Sequence, residues 1–333
     1  MDAGRTIRGW AWSWELNRCG VLGINRRNLK YLAEWNPRGK YKLVDDKVLT
    51  KRLCEEHRIV VPQTYAVIDR FGDLKRLPEA IRGREQFVVK PASGAGGRGV
   101  LVVTESHGRW FVRPNGSRLS FAELRYHVSA MLSGLYSLGG QPDRAIIEEL
   151  VVPHPVFEGL TVGGTPDIRI VVYRGVPALA MLRLPTKASR GRANLHQGAV
   201  AAGIDLETGR TLGGVCRNRA VAAHPDTGLA VGGLAIPQWE QVLATATAVS
   251  EAVGMGYIGV DIMLDQAKGA IVLEANARPG LAVQIANRRG LVRVLRDIDA
   301  MLSAQAMPSV APAVLIEPTP RFPENGRRAR GAS

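Results

Sequence analysis

Gly259-Val-Asp261-Ile-Met-Leu-Asp265, followed after a Lys268-Gly269 turn by Ile271-Val-Leu-Glu274-Ala-Asn276-Ala-Arg278-Pro-Gly280, is the stretch on which the reading of this chain turns. Both halves are apolar and rich in β-branched residues, which predicts an antiparallel hairpin. Side chains i and i+2 of a strand share a face, so Glu274 and Asn276 point together. If Asp261 on the partner strand joins them, three hard oxygen donors converge. That set suits Mg²⁺, which takes few protein ligands and fills its shell with water and substrate phosphates. A solvated hairpin with unrelated acids is the plain alternative, and a phosphate-binding element elsewhere decides between the two.

Phe87-Val-Val-Lys90-Pro-Ala-Ser93-Gly94-Ala-Gly96-Gly97-Arg98-Gly99 is such an element. A strand delivers Lys90, a glycine-rich loop follows, and Val100–Val103 returns as a second strand. Glycines let successive backbone N–H groups turn toward a phosphate and come close to it. The strand–loop–strand order separates it from Walker and Rossmann loops, which run from a strand into a helix.

Further signals surround these two. Asp45-Asp46-Lys47 opens a helix capped by one of the aspartates, with Lys47 in the first turn, where an anion would arrive. Residues 25–36 predict a short basic helix stopped at Asn36-Pro37, and Ser120-Phe-Ala-Glu123 is a capping box opening a helix to about Leu138. Ala145–Val152 reads as a strand carrying Glu148 and Glu149, suited either to a nucleotide-facing hinge or to a plain strand end. Pro166–Tyr173 and Val176–Arg183 form another hairpin, with Asp167 and Arg169 on one face. Lys187, Arg190, Arg192, Asn194 and His196 lie in an irregular basic loop. Ile236-Pro237 opens a helix that should cover the sheet bearing Asp261, and Arg288–Arg296 reads as a basic helix.

The 333 residues carry 46% hydrophobic and 22% charged side chains, an ordinary globular balance with length for two or three lobes. A net charge of +14 implies attraction to something acidic, whether nucleic acid, an anionic membrane or an anionic metabolite. Cys19, Cys54 and Cys216 are isolated and have no zinc spacing, which fits a reducing cytoplasm. No run is long enough to span a bilayer, and no export leader is evident, so the expected location is cytoplasmic and not integral to a membrane. Trp10, Trp12 and Trp14 alternate near arginines, as in an arm anchored to the body or a membrane-interface element.

Taken in order, Lys47, the Lys90 loop, Glu148-Glu149, Asp167-x-Arg169, Arg192-Ala-Asn194-Leu-His196-Gln-Gly198, Asp261 and Glu274-x-Asn276 resemble ATP-grasp carboxylate–amine ligases. The wording from Asn36-Pro-Arg38 to Asp46-Lys47 and the Asn276-Ala-Arg278-Pro-Gly280 ending resemble the bacterial α-L-glutamate-ligase-related branch. The resemblance spans roughly residues 20 to 300 and implies an α+β ATP-grasp fold. Two lobes would clamp ATP behind a small N-terminal arm: 1–46 as the arm, 47–145 with the glycine loop, 146–305 with the metal site, and 306–333 as a disordered basic tail.

The same resemblance implies roles. Lys47 and Lys90 would contact ATP phosphates, with Ser93, Gly94, Gly96, Gly97 and Gly99 folding over them. Glu148, Glu149 and Leu150 would form the adenine hinge, and Asp167 would approach the ribose. Arg192 and Asn194 would sit by the transferred phosphate, and Arg169 and Arg183 by the substrate carboxylate or acyl phosphate. Asp261, Glu274 and Asn276 would hold one or two Mg²⁺, with Mn²⁺ a possible substitute. His196 reads as loop architecture or a substrate contact rather than a base.

The implied reaction joins a carboxylate to an amino acid such as glutamate on a small or peptide acceptor, with a protein acceptor and a homo-oligomer both admitted. The alternatives are an enzyme of the same fold acting on a sugar or cell-surface polymer precursor, and a non-catalytic basic scaffold using Trp10–Trp14 and Arg327–Arg330. No specific nucleic-acid motif supports the scaffold. Two features depart from the branch: the region before Lys47 is short, and Leu150 stands where an aromatic residue is usual.

Overall fold

A computed structural model describes residues 12–94 and 96–306. The expectations for Trp10 and for the tail beyond residue 306 lie outside the described residues. The smaller lobe is built on strands β1 (Thr64–Ile68), β2 (Phe87–Pro91), β3 (Leu101–Val103) and β7 (Ala145–Glu148), ordered β1-β7-β2-β3. A separate three-stranded sheet, β4 (Glu105–Ser106), β5 (Trp110–Val112) and β6 (Arg118–Ser120), extends it. The larger lobe is one antiparallel sheet in the order β12-β11-β10-β9-β8-β13-β14. Its strands are β8 (Asp167–Tyr173), β9 (Val176–Leu184), β10 (Val200–Ile204), β11 (Thr211–Cys216), β12 (Arg219–Val221), β13 (Tyr257–Asp265) and β14 (Gly269–Asn276). The division expected at 145/146 falls inside β7, which pairs with β1 and β2 and so belongs to the smaller lobe.

The period of two positions the site. In β8, Ile168, Ile170 and Val172 face a core with Ile258, Val260 and Ile262 of β13, covered by the helices Lys47–Glu56 (α1) and Trp239–Val253 (α3). The opposite face is apolar only at one end, where Val171, Tyr173, Leu179, Met181 and Tyr257 pack under Ala282–Asn287 (α4) and Leu291–Ala306 (α5). At its other end the alternation places Asp167, Arg169, Arg183 and Asp261. One sheet face is thus half core and half charged wall.

The hairpin expected from Gly259 to Gly280 is present, with Asp261 opposite Glu274 and Gly259 opposite Asn276. Three helix boundaries differ from expectation. Helix α2 (Phe121–Leu132) ends at Gly134, not Gly139: Gly134 has φ +86°, and Leu135 N–H reaches back to Ala130 O, the i to i−5 bond of a glycine-terminated helix. Pro237 lies before α3, whose N-cap is Gln238 in the left-handed region. The basic stretch 288–296 is broken at Arg288, also left-handed, because Gly290 passes against the Cys19–Gly20 backbone before α5 begins. The helix predicted to end at Asn36 runs from Ile24 to Trp35 and contains a wide π turn, Arg27–Leu32, which buries Arg27, Tyr31 and Leu32. Among the described residues, no helix is long and apolar enough to cross a membrane.

Candidate active site

Helix α1 is capped by Asp46, whose carboxylate accepts from the N–H groups of Val48 and Leu49 and pairs with Arg144. The cap aims the first turn at the glycine loop. Lys47 Nζ donates to Gly94 O at 2.8 Å and stands 3.3 Å from Glu274 Oε2. A single ammonium therefore joins the loop of one lobe to the hairpin of the other.

Behind it lies a buried lysine pair. Lys90 and Lys51 each stand 2.5 Å from a different oxygen of Glu148. Lys51 follows Lys47 by one helical turn and was not singled out in the sequence; its i+4 spacing from Lys47 is the signal that marks it. Burial pushes the Lys51 ammonium below its ordinary value, Glu148 opposes that shift, and Lys90 adds to it. Two cations share one carboxylate here, leaving a surplus of positive charge.

Glu148 thus turns its side chain inward to the lysines. Glu149 ties the lobes instead: it accepts from Gln63 N–H at 3.0 Å and pairs with Lys268 in the turn of the β13–β14 hairpin. Beyond Leu150, Val152 N–H donates to Asp265 Oδ2 at 3.1 Å, so the connecting segment is fastened to the larger sheet.

On that sheet, Arg169 grips Asp261 through two hydrogen bonds of 2.6 and 2.5 Å, and Arg183 reaches Asp261 Oδ2 at 2.8 Å. Both oxygens of Asp167 are taken by Arg183, its cross-strand partner, so the Asp167 side chain orients Arg183 rather than standing free for a ribose. Burial disfavours the Asp261 charge, but the two guanidiniums outweigh it and hold the carboxyl well below the usual carboxylate range. Burial pushes Asp167 up to about 6 in spite of Arg183, with the charge of Asp261 adding to the shift. Of the two acids, Asp167 takes up a proton first. Asn276 Nδ2 lies 3.5 Å from Asp261 Oδ2 and 3.4 Å from Glu274 Oε1, so the three expected donors do converge.

The glycine loop is held at both ends. Ser93 N–H donates to both oxygens of Asp143 at 3.1 and 3.0 Å, and Ser137 Oγ donates to the same carboxylate. At the other end, Gly99 has φ +77° and its Cα lies against the Tyr136 ring, where any Cβ would fall 2.6 Å from a ring carbon. His127 Nε2 reaches Gly99 O at 2.9 Å, and burial lowers the pKa of that imidazole. Asp143, His127 and Tyr136 were not read from the sequence.

Between the tethers, Gly97 lies against the Arg192 side chain of the opposite lobe, and Gly96 lies near Gln197. Asn194 caps the short turn Leu195–Gln197 by accepting from His196 N–H at 3.0 Å. Lys47 with Glu274 and Gly97 with Arg192 thus bring the glycine loop against both the hairpin and the basic loop of the larger lobe. Two open grooves of about 500 and 320 Å³ lie elsewhere, on the side of the smaller lobe lined by Pro78 and Phe121.

Residues 26–300 match the model of the sugar-transfer associated ATP-grasp family. The chain belongs to this family. The match shows the ATP-grasp superfamily and fold and does not single out the glutamate-ligase-related branch that the wording of the sequence resembles. No protein of curated function matches the chain. Among solved structures it is similar to D-cycloserine synthetase DcsG, at 16% identity and TM-score 0.44 over 80% of this chain and 73% of that one. It is also similar to D-alanine–D-alanine ligase from Bacillus anthracis, at 15% identity and TM-score 0.44 over 79% and 68% of the two chains. The ATP-grasp ligase PsnB, in complex with a minimal precursor, aligns at 15% identity and TM-score 0.42 over 81% of this chain and 63% of that protein.

Proposed function

We propose that this ATP-grasp protein is an ATP- and Mg²⁺-dependent ligase that activates a carboxylate as its acyl phosphate and joins it to an amine, in the manner of the glutamate ligases whose wording it shares. The observation that carries the reading is Lys47, held at once by Gly94 O and by Glu274 between a surplus of lysine charge and a convergent set of oxygen donors.

Glu274 and Asn276 fit Mg²⁺ directly, while Asp261, both of whose oxygens already accept from Arg169 and Arg183, would join them only through its remaining lone pairs. Among the described residues, no three His, Cys, Asp or Glu side chains cluster to hold a metal by themselves. Asp261, Glu274 and Asn276 offer two carboxylates and one amide, the short protein share that Mg²⁺ accepts when phosphates and water complete its shell. The bound ion would neutralise phosphate charge and orient the γ-phosphoryl group. Arg169 and Arg183 hold Asp261 in place for it and present guanidinium charge beside a substrate carboxylate.

In the reaction, a carboxylate oxygen of the substrate takes the γ-phosphoryl group and ADP leaves. The amine then attacks the acyl carbon, phosphate departs, and the nitrogen loses its proton as the amide forms. No protein nucleophile takes part; Lys47, Lys90, Arg192 and the loop N–H groups stabilise crowded negative charge. Leu150 and the backbone of Glu148 and Glu149 lie in the segment joining the lobes, where the adenine would sit. Asn194 keeps the Arg192 loop in shape.

The family's sugar-transfer association favours a second choice of substrate within the same chemistry, an acid-bearing sugar or cell-surface polymer precursor. Phosphate release from ATP, screened with amino acids, short acidic peptides and sugar acids, tests both. Release that needs one acid–amine pair, yields a condensed product by mass spectrometry, and falls by more than about 100-fold in Lys90→Ala and Glu274→Ala supports the ligase. Release that is independent of any acceptor, with no condensed product, contradicts it.

A further inference from the structure

The short helix Ser13–Arg18 buries none of its side chains. Trp12 is 71% exposed, Trp14 54% and Leu16 42%, and Ile24 and Leu29 on the next helical stretch are exposed as well. Six residues of isolated helix gain too little to stay formed in water. This helix is held from its far end instead: Arg293 of α5 donates to Arg18 O at 2.9 Å, Val292 N–H to Gly20 O at 3.0 Å, and Leu22 N–H to Gln284 Oε1 at 2.7 Å. The fold therefore fastens residues 18–22 to the body while leaving two tryptophans and a leucine in solvent.

Basic side chains outnumber acidic ones around this segment. Arg18, Arg26 and Lys30 stand on this segment, and Arg293 of α5 lies against it. Glu15, which accepts from Trp12 N–H at 2.9 Å, and Glu34 are the acids on the same stretch. Indole rings with aliphatic neighbours and a basic rim match the layered chemistry of an anionic bilayer surface, where rings sit at the headgroup level and cations meet lipid phosphates. Nucleic acid would use the cations but gives exposed Leu16, Ile24 and Leu29 no partner, since its phosphates contact charge.

We propose that this face docks the protein peripherally on an anionic lipid surface, through Trp12, Trp14 and Leu16 inserted at the interface and Arg18, Arg26 and Lys30 against headgroups. The proposal is independent of the reaction catalysed.

The test is co-sedimentation of the full chain with phosphatidylcholine vesicles and with mixed phosphatidylcholine–phosphatidylglycerol vesicles, with tryptophan emission followed in parallel. Binding to the anionic vesicles alone is expected, weakened by salt and accompanied by a blue shift. The double variant Trp14→Ser/Leu16→Ser should lose about tenfold in affinity and the variant Lys30→Glu a few-fold, with nucleotide binding unchanged in both. Equal binding by variants and parent would overturn the proposal, as would absence of binding to anionic vesicles. So would a concentration-dependent dimer, by light scattering, that the double variant abolishes while vesicles are ignored, because the face would then join copies of the chain.

Discussion

The two walls of the cleft solve the problem of buried charge in opposite ways. On the smaller-lobe side, Lys51 and Lys90 share the single carboxylate of Glu148, so the wall carries more positive charge than its own anion balances. On the larger sheet, Arg169 and Arg183 face Asp167 and Asp261, and the four charges close on themselves. The first wall thus keeps one positive charge beyond its own carboxylate. The second is a preset frame that fixes where Asp261 points, while Glu274 beside it stays more open, with its side chain 30% exposed against 2% for Asp261. In the proposed ligase a polyanion would sit against the lysines, with the sheet supplying the fixed geometry.

The comparison is broken most severely at Glu148. Glu148→Ala leaves two lysines buried without a counterion, and unfolding by urea should show a loss of about 3–5 kcal/mol. Asp261→Asn weakens the frame but leaves Asp167 to hold Arg183, so a smaller loss of about 2–3 kcal/mol is expected in the same measurement.

The sequence shows one wall better than the other. Strand alternation puts Asp167 and Arg169 on one face, and the hairpin register puts Asp261 beside Glu274 and Asn276, because in a sheet the spacing along the chain sets the direction of each side chain. What it hid came from pairings between elements. Glu148 reads as a hinge residue, yet it folds back onto a helix nearly 100 positions earlier. Asp143 holds Ser93 across 50 positions, and His127 holds Gly99 across 28. No local period reports such contacts. The α2 boundary departs from the expected end near Leu138 for a local reason: the earlier single glycine at 134 supplies the left-handed turn, ahead of the Gly139-Gly140 pair.

The frame also has a pH signature. The Asp167 carboxyl is raised from 3.8 to about 6, so between those values the folded state binds the proton and the unfolded chain does not. Stability from this group is therefore full below about pH 4 and falls as pH rises through 6. Asp261 is depressed and works in the reverse sense: its contribution is present above the usual carboxylate range and is lost only in strong acid. The advantage of the parent protein over Asp167→Asn, taken from urea midpoints, should shrink between pH 4 and pH 6.5. A constant gap would show that Asp167 is ionised throughout.

The smallest effect belongs to the surface. The exposed pair Arg82–Glu79 resembles the buried pairs in geometry, but water screens it, and Glu79→Gln should change stability by under about 0.5 kcal/mol. A loss as large as that at Asp261 would remove burial as the reason the two walls matter.

The central claim, that the lysine wall and the hairpin donors form one nucleotide site, is tested most directly by calorimetric titration with a non-hydrolysable ATP analogue. Binding is expected in the parent protein, stronger with Mg²⁺ than with chelator, and weakened by at least about tenfold in both Lys90→Ala and Glu274→Ala, each still folded by circular dichroism. Undiminished binding in the two folded variants, with or without Mg²⁺, would place the nucleotide elsewhere and contradict the site described.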